Sequence, residues 1–75
     1  MKKKLMILGS LQEFVRLTAM AKDRGCTVIV SDGYPNGPAK KIADRAYDVD
    51  VREAPSLARY CRQEHVDAMI TSFSD

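Results

Sequence analysis

Four short apolar runs, separated by stretches of helical periodicity, limit what this chain can fold into more than any other feature. Leu5-Met6-Ile7-Leu8, Thr27-Val28-Ile29-Val30 and Ala68-Met69-Ile70-Thr71 are continuous and too short for helices. Runs of this kind read as strands covered on both faces. The alternation Ala46-Tyr47-Asp48-Val49-Asp50 reads as a further short strand, third in chain order.

The intervals between the runs carry helix signals. Ser10 and Glu13 have the spacing of a capping box, in which two side chains satisfy each other's free amides at a helix start. Leu11, Phe14, Val15 and Thr18 then fall on one helical face, with Arg16, Lys22 and Asp23 on the polar side. Gly25 stops this helix as a left-handed residue. After the second run comes Ser31-Asp32-Gly33-Tyr34-Pro35-Asn36-Gly37-Pro38, a dense cluster of turn formers. Pro38 suits the first position of a short helix over Ala39 to Ala43, because its missing N–H would have had no partner there. Pro55 opens a third helix, with Leu57, Tyr60, Cys61 and Glu64 on one face and the first three as its buried part.

The order is β-α-β-α-β-α-β. It predicts an α/β fold: a Rossmann-like, four-stranded parallel sheet with right-handed crossovers and helices on both faces. The 75 residues make one domain. With strand order 3-2-1-4, the switch point lies between the first and fourth strands, and ligands bind outside the carboxyl ends near it. Gly9 and Ser10 would meet Ser72, Ser74 and Asp75 there, with Asp32 beside them. These six are the candidate substrate-binding residues.

Much chemistry is excluded. The two cysteines, Cys26 and Cys61, are 35 positions apart, so neither a disulfide scaffold nor a zinc site is expected. They read as small core hydrophobes. There is one histidine, His65, just past a helix end, and no nucleophile elbow, HExxH or Walker loop. No catalytic residue and no metal ligand is assigned. Net charge is +2, uneven along the chain but too mild, and too poor in stacking aromatics, to imply nucleic acid. Lys2-Lys3-Lys4 mimics the start of a signal peptide. The apolar part that follows is too brief for secretion or for a membrane span, so a cytoplasmic protein is expected. Asp32 lies 23 residues after Gly9, near the offset at which dinucleotide folds place a ribose-binding acid. Against a dinucleotide, Leu11 and Phe14 replace the later glycines of the fingerprint. Asp32 reads equally as a turn residue, and Gly9-Ser10 as a tight strand-to-helix turn.

Three stretches together resemble a known family. They are Leu5 to Gly9 with the helix ending Ala21-Lys22-Asp23-Arg24-Gly25; Asp32 through Pro35-Asn36-Gly37-Pro38-Ala39 to Ile42-Ala43-Asp44; and His65-Val66-Asp67-Ala68-Met69-Ile70-Thr71. Their order and spacing are similar to the N-terminal pre-ATP-grasp domain of ATP-grasp ligases, also called biotin carboxylase N-terminal-like and found in carbamoyl phosphate synthetase. The resemblance implies an accessory domain that helps bind the acceptor substrate. The parent would activate a carboxylate or bicarbonate as an acyl phosphate and pass it to an amine. ATP and magnesium would bind in the parent's later domains, with no cofactor in this piece. The chain is accordingly expected to be a fragment, inactive alone, whose partners are the missing ATP-grasp domains. Self-association through the fourth strand's side is also expected. The phosphoribosylaminoimidazole carboxylase branch carries a Gly-rich loop where this chain has Gly9-Ser10-Leu11-Gln12, which speaks against a ribosyl-phosphate substrate. The alternative function is a stand-alone small-ligand or protein-interaction module without catalysis.

Overall fold

The computed structural model describes residues 3–50 and 52–71. Its elements are β1 (Lys4–Leu8), α1 (Gln12–Asp23), β2 (Thr27–Ser31), α2 (Pro38–Ile42), β3 (Arg45–Tyr47), α3 (Ala54–Glu64) and β4 (Ala68–Thr71). All strand pairs are parallel, and the sheet order is β3-β2-β1-β4. The predicted class and order are therefore found. Leu8, at the end of β1, pairs with Ser31 on one side and Thr71 on the other. The carboxyl ends of the three strands thus share one rim.

The strands bury alternate residues on opposite faces, as the pleat requires. Ile7, Val28 and Val30 pack with Phe14 of α1 and Ala39 of α2. Met6, Leu8 and Ile29 pack on the other face with Leu57 of α3. Met6, Ile7, Val28, Ile29 and Val30 are fully buried, so β1 and β2 form the centre of the domain. Among the described residues, no helix is long and apolar enough to cross a membrane.

Four local expectations change. The capping box does not form: α1 starts at Gln12, its N-cap is Leu11, and no side chain caps it. Ser10 lies one residue too early, and its hydroxyl is taken by Asp32. Leu11 consequently sits outside the helix and is exposed rather than on the buried face. The third strand is three residues, Arg45–Tyr47, instead of Ala46 to Asp50. Its pairing stops at Tyr47, opposite Ser31 at the end of β2, and just beyond it the Ser31 hydroxyl donates to the Val49 carbonyl. The second helix begins at Pro38 and ends at Ile42, because Ala43 is already extended.

The fourth change concerns α3. Leu57 is buried and Tyr60 and Cys61 are half-buried, but Glu64 is buried too. Glu64 accepts a hydrogen bond from the Tyr47 hydroxyl and lies within salt-bridge distance of Arg45 and Lys4. A buried carboxylate needs such partners. His65 ends the helix in the left-handed conformation. Gly25 has φ +88° just beyond α1, where the Gly25 and Cys26 amides donate to Lys22 and Ala21 carbonyls, the expected stop.

Candidate functional site

The rim at the carboxyl ends of β1 and β2 is built around Ser10. The Gly9 amide continues the sheet by donating to the Ser31 carbonyl at 2.9 Å. Gly9 then takes φ +151°, and a Cβ there would come 2.4 Å from the Phe14 ring. Only glycine lets β1 turn under that ring into α1.

Ser10 is fully buried. Its amide and its hydroxyl both donate to Asp32 Oδ2, each at 2.8 Å. Asp32 Oδ1 accepts the Tyr34 amide at 3.3 Å, so the turn reading of Asp32 also holds. The Ser10 carbonyl accepts the Ala39 amide at 2.8 Å, which ties the first turn of α2 to the same point. Gly37 lies against Ser10 so closely that an added Cβ would fall 1.7 Å from Ser10 Oγ. Lys40 closes the arrangement from below. Its side chain is only 5% exposed, and its ammonium donates to the Asp32 carbonyl at 2.8 Å and pairs with Asp48.

Of the six sequence-predicted residues, Gly9, Ser10 and Asp32 come together at the rim. Ser72, Ser74 and Asp75 lie outside the described residues. The residue before them, Thr71, pairs with Leu8 directly beside the Gly9 turn. Sequence reading missed Lys40 and the contact made by Gly37. Gly37 stood in a run of turn formers, but nothing local distinguishes Lys40 from an ordinary solvated lysine.

The chemistry available here is hydrogen bonding and shape. Among the described residues, no group of three or more His, Cys, Asp or Glu could hold a metal ion. No reaction step is routed here through magnesium or through ATP. A dinucleotide fits poorly. Both oxygens of Asp32 already accept hydrogen bonds from the chain, and Phe14 packs where a glycine-rich turn would leave room for a pyrophosphate. A depression of about 550 Å³ on α1 is lined by Gln12, Glu13, Val15, Arg16 and Ala19 and includes none of the rim residues Gly9, Ser10 and Asp32.

A parallel sheet of order 3-2-1-4, with a tight glycine turn after β1 and an acid after β2, defines the Rossmann-like class, whose members bind ligands outside the carboxyl ends of the strands and serve many unrelated functions. Comparison with known proteins narrows this. No protein-family model matches the chain. It is 34% identical over 68 residues to the formate-dependent phosphoribosylglycinamide formyltransferase of Prochlorococcus marinus (strain MIT 9313), covering 91% of this chain and 18% of that protein. It is 37% identical over 67 residues to the enzyme of the same name from Thermococcus kodakarensis, covering 89% and 16%. Among solved structures, glycinamide-RNase-transformylase T from Mycobacterium tuberculosis superposes with a TM-score of 0.86 at 31% identity, over 95% of this chain and 20% of that one. N5-carboxyaminoimidazole ribonucleotide synthetase from Thermotoga maritima gives 0.83 at 27% identity, over 95% and 19%. The chain is homologous to the N-terminal, pre-ATP-grasp region of ATP-grasp ligases. It spans about a fifth of the length of the relatives it matches.

Proposed function

We propose that this chain is the substrate-side accessory domain of an ATP-dependent ATP-grasp ligase acting in the cytoplasm. The carrying observation is the match to formate-dependent phosphoribosylglycinamide formyltransferases along 91% of the chain. In this reading the rim of Gly9, Ser10 and Asp32, with Ser72, Ser74 and Asp75, faces the acceptor substrate. The acceptor is a phosphoribosyl amine, as the names of the relatives suggest. That reverses the expectation drawn from the Gly9-Ser10-Leu11-Gln12 turn. Loss of a Gly-rich loop changes how a phosphate could be approached, but the exposed start of α1 still presents backbone amides to an anion.

The ATP and magnesium chemistry belongs, in this proposal, to the ATP-grasp domains of the whole protein. The residues of this chain bind and orient the acceptor and contribute no proton transfer. The test is the coding sequence in frame beyond codon 75. The two halves of an ATP-grasp fold are expected there. A stop codon directly after Asp75 would overturn the proposal and leave a stand-alone binding module.

A further inference from the structure

We infer that Asp32 is a positioning residue: its carboxylate acts through Ser10 and the Tyr34 backbone to lock the β1–α1 and β2–α2 turns together, and it does not itself touch a ligand. The inference deepens the substrate-face reading above and rests on it for what the locked turns present.

The geometry is specific. An acid at the end of the second strand of such a sheet is free to accept ribose hydroxyls only if its oxygens face outward. Here Oδ2 accepts two hydrogen bonds from one fully buried residue, Ser10, and Oδ1 accepts the Tyr34 amide. The residue's own carbonyl is held by the nearly buried Lys40 ammonium. Oδ2 is therefore taken twice by the fold, and Oδ1 holds the Tyr34 amide by one longer bond on which the turn depends. Hydrogen bonds to an ionised carboxylate are the stronger kind, so a ligand hydroxyl would not displace them without loss. What remains presented at the rim is what the lock orders: the Gly9–Leu11 turn and the Tyr34 ring, which is 62% exposed.

The test uses the full-length protein with Asp32→Asn, Ser10→Ala and the double variant. The amide of Asp32→Asn can accept on one oxygen only, so either Ser10 or Tyr34 must lose its partner. Hydrogen–deuterium exchange over residues 9–11 and 32–37 is expected to quicken at least about tenfold in Asp32→Asn, with the Met6–Ile7 and Val28–Val30 amides unchanged. Calorimetric titration with phosphoribosylglycinamide is expected to weaken by a similar factor in Asp32→Asn and by less in Ser10→Ala, which keeps the Ser10 amide bond, and the double variant is expected to lose less than the product of the two, because they share the hydroxyl contact. Unchanged exchange in Asp32→Asn would overturn the inference. So would losses that multiply in the double variant, which would mark Asp32 as a direct ligand contact. If the unsubstituted protein does not bind phosphoribosylglycinamide at all, the substrate-face reading fails, and exchange alone still decides whether Asp32 locks the turns.

Discussion

A side chain at Gly37 would have no room beside Ser10, and Gly37→Ala tests this most simply. The new methyl would fall on the Ser10 hydroxyl, which is buried and fastened to Asp32. Neither partner can retreat without breaking hydrogen bonds to Asp32 or Ala39. Overpacking of this kind costs about 1–3 kcal/mol, so the urea midpoint of Gly37→Ala should fall clearly. An unchanged midpoint would mean that the two turns are not in contact. At this scale the sequence was only partly legible. Gly9, Ser10 and Asp32 could be picked out, because a glycine after a strand and an acid after the next one have known uses. The capping box of Ser10 and Glu13 does not form, because Ser10 uses its hydroxyl on another partner. The partner that wins is 22 residues distant, and no local pattern announces it. Lys40 escaped notice for the same reason.

Among the elements, α3 is fastened to the sheet by a polar device as well as by Leu57. Glu64 accepts from the Tyr47 hydroxyl, while the Tyr47 ring stacks on Tyr60 with centroids 4.2 Å apart. The hydrogen bond to Glu64, aided by burial and by the carboxylate's charge, raises the Tyr47 hydroxyl above its usual range. A group whose pKa is raised on folding contributes stability that is whole below its unfolded value, near about 10, and is lost as pH climbs through the folded one. Unfolding free energy should therefore drop as pH rises beyond about 10. Tyr47→Phe should be less stable at about pH 8 and should show a smaller drop between about pH 8 and about pH 10.5. Identical pH slopes in the two proteins would contradict this. The strands β1, β2 and β4 were legible because continuous apolar runs and parallel pairing go together. The end of β3 was not, since it falls where its partner β2 ends at Ser31, which the alternation Ala46 to Asp50 does not reveal. The burial of Glu64 was hidden too, because its basic partners lie on β1 and β3.

For the whole molecule, the parallel sheet follows from the alternation of elements, the 3-2-1-4 order enters only by analogy with Rossmann-like folds, and the resemblance supplies the family. What sequence could not supply was which rim side chains hold the fold and which are left for a ligand, since that depends on contacts between turns. Among the described residues β4 pairs only with β1, and Met69 is 44% exposed. A strand edge with uncovered apolar side chains invites pairing. The isolated 75-residue chain is expected to self-associate, with a light-scattering mass that rises with concentration. A constant monomer mass up to high concentration would refute this.

As proposed above, this domain would serve a ligase whose chemistry lies in other domains. ATP-dependent phosphate release, measured side by side for the 75-residue chain and the full-length protein with formate and phosphoribosylglycinamide, addresses it directly. A signal at blank level is expected for the chain, and turnover that requires the acceptor for the full-length protein. Turnover by the 75 residues alone, or a full-length protein indifferent to the acceptor, would contradict it.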